Sequence, residues 1–250
     1  MPLEAPLAPI QDRVADLNAR YRHHGAISVL KHALLDPQVG RVTLVSSFGA
    51  ESVVLLHMIS VMDRTTPVLF IDTEMLFAET LAYQVEVAGR LGLTEVRILQ
   101  PDRNALFLRD PDALLHKSDP DACCALRKTE TLQTALQPFD AWVTGRKRFQ
   151  GGQRSVLEFF EVEPGTHRIK VNPLAHWERD DVQDYIINNR LPRHPLVSKG
   201  YPSIGCAPCT TRVSFGEDER SGRWRRREKE ECGIHFVNGR AARGTESAEI

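Results

Sequence analysis

The chain has 250 residues, 42% of them hydrophobic, and a formal net charge of -1. That is enough to bury a full core without disulfide staples, and the near-neutral balance gives no general signal for nucleic acid. No run of about eighteen apolar residues occurs, and Met1-Pro2-Leu3-Glu4-Ala5-Pro6 has no basic stretch leading into an apolar one, so neither a membrane span nor a secretory leader is expected.

In chain order, Pro6 to Leu35 reads as helical, with Leu17, Tyr21, Ile27, Leu30 and Leu34 at helical spacing and a break at His24-Gly25. The period then changes. Arg41 to Val45 is a β-branched strand running into the small-residue loop Ser46-Ser47-Phe48-Gly49-Ala50-Glu51-Ser52, and Val53 to Ile59 is apolar on most sides, as a buried helix would be. The unit repeats: Pro67 to Ile71 is a strand ending at Asp72-Thr73, Ala78 to Leu91 is a helix closed by Gly92, and Glu95 to Leu99 is a third strand. A later strand, Ala141 to Gly145, ends in the basic run Arg146-Lys147-Arg148.

Alternating strands and helices predict an α/β fold, a parallel sheet with helices on both faces. Ligands of such sheets bind beyond the carboxyl ends of the strands, which here carry Ser46 to Ser52, Asp72-Thr73 and Gly145 to Arg148. From Pro173 the chain is Pro-rich, with a helix at Arg179 to Asn188 and a structured loop over 192–210. Three parts are expected: an N-terminal helical segment over 1–40, the nucleotide-binding core over 41–215, and a flexible tail over 216–250. The basic run Arg223-Trp224-Arg225-Arg226-Arg227 reads more readily as a solvated face than as a phosphate site.

The loop Ser46 to Ser52 lacks the Gly-Lys-Ser/Thr ending of the standard nucleoside-triphosphate loop. What it offers is hydroxyls and backbone amides at a helix amino terminus, which suit an anion; a purely structural strand-to-helix turn needs the same residues.

Five cysteines leave an odd one, which argues against a disulfide framework and for reduced thiols in the cytoplasm. Cys206-Ala207-Pro208-Cys209 has metal-ligand spacing, and its Pro-rich context speaks against a thioredoxin-like dithiol. Cys123-Cys124 is awkward for structural zinc, whose paired ligands are usually separated by two to four residues, whereas adjacent thiolates can each take one corner of an iron-sulfur cube. Nearby Arg127, Lys128 and Arg212 would offset the negative charge of such a centre. A cluster is favoured, with zinc and inert buried thiols left open. Cys232 stands apart in Lys229-Glu230-Glu231-Cys232-Gly233-Ile234-His235, where Gly233 permits close approach and His235 and the arginines before it favour a thiolate; alone this is weak.

Taken together, these segments resemble the assimilatory, thioredoxin-dependent adenylyl-sulfate (APS) reductases, relatives of the phosphoadenylyl-sulfate (PAPS) reductases. The resemblance runs from Val42 to His235. It rests on Ser46 to Ser52, Ile71-Asp72-Thr73 with Glu79-Thr80, Cys123 to Lys128, Gly145 to Gln150, and Gly205 to Thr210 continuing to Glu231-Cys232-Gly233-Ile234-His235.

The resemblance implies an adenine-nucleotide α-hydrolase-like fold and a [4Fe-4S] cluster on Cys123, Cys124, Cys206 and Cys209. It also implies Cys232 as the thiolate that attacks the sulfur of adenylyl sulfate, releasing AMP and leaving an S-sulfocysteine that reduced thioredoxin, or a glutaredoxin-like protein, cleaves to sulfite. Ser46, Ser47, Phe48, Gly49, Ser52, Asp72, Thr73, Lys128, Gly145, Arg146, Arg148 and His235 become the expected substrate residues, with Arg223 or Arg227 further cations from the tail. The four cluster cysteines point to adenylyl sulfate over its 3′-phosphorylated relative, with dual use open. Because the chain ends soon after Cys232, the reductant is expected to be a separate protein; homo-oligomerisation is left open.

Glu74, Phe77, Arg225-Arg226-Arg227 and Gly151-Gly152-Gln153-Arg154 depart from the family pattern, which bears on ribose contacts and tail docking. An ATP-dependent tRNA sulfur-insertion enzyme would want a loop closer to Ser-Gly-Gly-x-Asp-Ser, and a non-catalytic iron-sulfur protein gives no reason for the Cys232 segment.

Overall fold

The computed structural model describes residues 7–225, Lys229, Ile234, 236–237 and 240–241. Its centre is a six-stranded sheet of β1 (Val42–Val45), β2 (Val68–Ile71), β3 (Val96–Leu99), β4 (Ala141–Val143), β5 (Phe160–Val162) and β6 (Ile169–Val171), in the order β3-β2-β1-β4-β6-β5. The first four strands and β6 pair parallel; β5 pairs antiparallel with β6. The chain order reverses between β1 and β4, and in doubly wound sheets that point opens a crevice at the carboxyl ends.

Side chains alternate across each strand, so the sheet supports two apolar layers. On one face Leu44, Val68, Phe70, Val143, Ile169 and Val171 pack with α1 (Ile10–Tyr21), α2 (Ala26–Leu35), α3 (Val53–Met62), α4 (Ala78–Leu91) and α9 (Arg179–Asn188). On the other, Leu69, Ile71 and Trp142 pack with Leu132 and Leu136 of α8 (Glu130–Leu136) and with Phe139. α3 is buried along most of its surface, as its unbroken apolar run requires. α4 ends where Gly92 takes φ +65 and caps it with its N–H, a conformation that costs glycine little.

The short helices α5 (Arg103–Arg109), α6 (Leu115–Ser118) and α7 (Pro120–Cys124) connect β3 to α8. The sequence reading assigned no helix over this stretch. It also missed the β5–β6 hairpin, so the sheet is mostly rather than wholly parallel. Each of those strands has only three residues, too few to show a period, and the turn between them holds Pro164 and Gly165 at φ +74. Among the described residues, no helix is long and apolar enough to cross a membrane.

Candidate active site

A cleft of about 250 Å³ opens at the carboxyl ends of β1, β2 and β4. Its floor is the loop after β1. Phe48 takes φ +47 there, uncommon for a large side chain, and buries its ring edge-on against Phe70 at 5.2 Å between centroids. Driving that ring into the core leaves Ser46, Ser47, Gly49 and Ser52 on the cleft wall. Ser52 Oγ accepts from the Gly49 N–H at 3.0 Å and lies 3.4 Å from Ser47 Oγ, so the hydroxyls curl around the amino end of α3. Phe48 therefore holds the loop from beneath and does not line the cleft.

Thr73, Lys128, Gly145 and Arg146, all expected from the sequence, line the cleft as well. Two others do not. Asp72 turns away, accepting from the Glu74 N–H at 2.9 Å and from Gln100 at 3.4 Å. Arg148 donates to the Leu157 carbonyl at 2.7 Å and pairs with Glu158 at 3.0 Å, which ties it to the loop before β5. Cys232 and His235 lie outside the described residues, as does Arg227.

The sequence reading missed several wall residues. Trp142 lines the cleft from β4, and its indole N–H donates to Glu163 at 3.2 Å. Lys147 is buried and pairs with Glu51 of the loop at 2.6 Å; burial lowers its ammonium from the ordinary value, and Glu51 opposes that shift. Arg146 donates to Asn172 at 3.0 Å and also pairs with Glu161, so the edge hairpin aims its guanidinium. Arg154 and Arg220 complete the cationic lining, with Arg223, which the sequence offered as a cation from the tail. The run Arg146-Lys147-Arg148 marked the region but could not say which member faces inward.

Beside the cleft, Cys123, Cys124, Cys206 and Cys209 line a single narrow enclosed cavity. Asp119 caps α7 through the Asp121 and Ala122 N–H groups at 3.0 and 2.9 Å, setting the cysteine pair at that helix's end. A π-turn over Ala125–Thr129 follows, and such wide turns re-aim the side chains they carry. Arg127 is driven inward onto buried Asp110 at 2.7 Å and onto the Thr73 carbonyl at 3.0 Å, while Lys128 faces both cavity and cleft. From the other side, Cys206 is held next to the end of β2 by the bridge between its residue and Leu76 and by the Ala207 N–H on the Met75 carbonyl at 2.8 Å.

Lys128, Arg223 and Trp224 line both spaces, making one wall between them. Gly205 lets the Arg223 guanidinium lie on the backbone, since a Cβ there would sit 2.3 Å from Arg223 Nη2. Trp224 Nε1 and Arg223 Nε are buried donors with no partner among the described residues. The thiols differ in their surroundings. Burial, then neighbouring Cys124, pushes Cys123 up to about 12. Burial would also raise Cys206, but Lys128, the Thr73 hydroxyl and Arg223 outweigh it and hold that thiol below its ordinary value.

Residues 41–212 match the phosphoadenosine phosphosulfate reductase domain. The adenosine 5′-phosphosulfate reductase of Mesorhizobium japonicum is 47% identical over 90% of this chain and 87% of its own length. The phosphoadenosine 5′-phosphosulfate reductase of Gloeobacter violaceus is 38% identical over 78% of this chain and 82% of its own. Among solved structures, the phosphoadenylyl-sulfate reductase of Candida auris, crystallised as a phosphate complex, superimposes with a TM-score of 0.70 at 29% identity, covering 83% of this chain and 99% of that one. The FMN adenylyltransferase of Candida glabrata, at a TM-score of 0.54 and 16% identity over 92% of this chain and 84% of its own, shares the fold.

Proposed function

Since the chain belongs to the phosphoadenosine phosphosulfate reductase family, whose members are oxidoreductases acting on sulfur, we propose that it reduces adenylyl sulfate to sulfite and AMP with electrons from reduced thioredoxin. The observation that carries this reading is the shared wall: Lys128, Arg223 and Trp224 border the cysteine cavity on one side and the nucleotide-sized cleft on the other.

The donor set around the cysteine cavity suits a [4Fe-4S] cluster. All four thiols line it, Arg127, Lys128 and Arg223 surround it, and the unpartnered Trp224 and Arg223 N–H groups are donors suited to sulfur or to an anion. Among the described residues, no three His, Cys, Asp or Glu side chains are placed to hold a single metal ion. Adjacent thiolates such as Cys123 and Cys124 can each take one corner of an iron-sulfur cube, which suits a cluster better than zinc. Cys123, Cys124, Cys206 and Cys209 would hold it, and it would supply fixed charge beside the substrate.

In the reaction, the loop hydroxyls and Gly49 bind the nucleotide phosphate while Ile71, Leu174 and Trp142 provide apolar wall for the base. The Cys232 thiolate attacks the sulfur of the phosphosulfate anhydride, the S–O bond breaks, and AMP leaves with the bonding pair. Lys128, Arg146 and Arg223 offset the repulsion between a thiolate and an anionic substrate. A thioredoxin thiolate then attacks Cys232 Sγ and expels sulfite with the S–S bonding pair. The second thioredoxin thiol resolves the mixed disulfide, so two electrons pass from the dithiol to sulfur.

An anaerobic assay of sulfite release, run on adenylyl sulfate and on its 3′-phosphorylated form with and without reduced thioredoxin, tests this reading. Release from adenylyl sulfate alone, dependent on thioredoxin, is the expected result. Comparable or faster release from the 3′-phosphorylated form would favour the second substrate that the Gloeobacter violaceus relative is named for.

A further inference from the structure

The β5–β6 hairpin carries charged side chains into the layer that walls the cleft. Trp142 on β4 is in register with Lys170 on β6, and Lys170 with Glu161 on β5, so the three project from one face of the sheet. Glu163, two residues after Glu161, returns to that face. Lys170 and Glu163 are each only 3% exposed, and burying a charge is costly unless something holds it.

What holds Lys170 also holds Trp142. The Lys170 ammonium stands 5.1 Å from the centroid of the Trp142 ring and 3.9 Å from Glu163 Oε1, the same oxygen that accepts from the Trp142 indole N–H at 3.2 Å. The other Glu163 oxygen accepts from Arg168 at 2.7 Å and from the Thr166 hydroxyl at 3.0 Å, so the carboxylate is itself fixed. Leu69, Ile71, Leu132, Leu136 and Phe139 pack in the same layer as Trp142, but apolar contact is non-directional. A carboxylate at the indole edge and a cation over its face are directional. Trp142 lines the cleft and Lys170 does not; β6 reaches the ring from the side of β4 away from β1.

We propose that Lys170 is a positioning residue for the nucleotide: together with Glu163 it fixes the plane of the Trp142 indole as a wall for the adenine base. This rests on the reading of the cleft as the nucleotide's site. The charged groups facing Lys170 are Glu161 and Glu163 from the β5 side, Arg168 before β6 and Arg146 after β4. Burial, then Arg146, lower the Lys170 ammonium to about 8, and the two carboxylates oppose that shift. A neutral amine has no charge to offer the ring, so nucleotide affinity should fall as pH rises through that value.

The test titrates AMP calorimetrically into the full-length, iron-loaded protein from pH 7 to pH 9.5, and follows the Trp142 indole N–H by NMR over the same range without nucleotide. The wild type should bind AMP about fivefold more weakly at the alkaline end. Lys170→Met should bind at that weaker level throughout, and its indole signal should not follow pH. Glu163→Gln removes a charge that favours the ammonium, so the fall should move to lower pH. Lys147, also buried beside the cleft, is present in every variant; a fall that persists in Lys170→Met therefore belongs to another group and overturns the proposal. An indole signal in the wild type that ignores pH, or a fall left in place by Glu163→Gln, overturns it too, whether or not Lys170→Met folds. An indole signal that follows pH in the wild type alone, in a protein that binds no AMP, supports the grip on the ring and sinks the nucleotide reading.

Discussion

Thr73 Oγ1 lies 3.2 Å from Cys206 Sγ, which joins the carboxyl end of β2 to a cysteine more than 130 residues later in the chain. The same hydroxyl accepts from the Met75 N–H at 3.3 Å, so it fixes both the turn after β2 and the thiol beside it. Thr73→Val is expected to destabilise the protein by about 1 kcal/mol in denaturant unfolding and to speed iron loss to a chelator, with Thr73→Ser close to wild type in both. Equal iron loss from the Ser and Val variants would show that the hydroxyl does not act.

Arg127 and Asp110 form a nearly dry pair, 5% and 2% exposed, beneath the π-turn. Burial pushes the Asp110 carboxyl up, but the Leu115 N–H and Arg127 outweigh it and hold it below the ordinary carboxylate value. Asp110→Asn leaves a buried guanidinium without its carboxylate and should cost about 3–5 kcal/mol. The double variant Asp110→Asn/Arg127→Met should lose less than the two single losses combined, which a double-mutant cycle by urea unfolding measures.

His194 is 1% exposed, and burial lowers it from its ordinary value to about 4. Its Nδ1 accepts from the Leu196 N–H at 3.1 Å and its Nε2 is 3.1 Å from the Thr80 hydroxyl, so the neutral ring is the one that fits. Between about pH 6.5 and pH 4 the unfolded chain binds a proton here that the folded one does not, and stability must fall as pH falls through that window. The loss should amount to about 1–3 kcal/mol. Urea unfolding at pH 7.5 and pH 5 measures it, and His194→Gln should flatten this part of the pH dependence.

Each of Cys123, Cys124, Cys206 and Cys209 changed to Ser, purified without oxygen, should carry substoichiometric iron, because one cluster needs all four ligands. Cys232→Ser should carry the wild-type iron content. Colorimetric iron and acid-labile sulfide assays separate the two outcomes.

The repeating strand-helix units were legible because their periods are clean: α4 runs Ala78–Leu91 and α9 Arg179–Asn188, where the spacing and the closing residues put them. Four of the strands were legible for the same reason. β4 is short but wholly apolar, whereas β5 and β6, equally short, are each interrupted by a charged residue, Glu161 and Lys170, and were not. At the site, identity was easier to read than direction. The four cysteines read as cluster ligands all line one cavity, yet nothing local distinguishes Arg146, which faces the cleft, from Arg148, which Glu158 and the Leu157 carbonyl hold outside it. Phe48 belongs to the loop but serves the core, a consequence of its left-handed backbone that composition does not reveal. Trp142 was hidden as one more apolar strand residue.

The central claim is that Cys232 takes the sulfo group from adenylyl sulfate before any reductant acts. Reacting the reduced, iron-loaded protein with adenylyl sulfate labelled at sulfur, without thioredoxin, tests it most directly. The expected result is one AMP released per chain and one labelled sulfo group on the peptide containing Cys232, discharged as sulfite when reduced thioredoxin is added and absent in Cys232→Ser. Sulfite formation with no label on that peptide, or label retained in Cys232→Ser, would contradict the account.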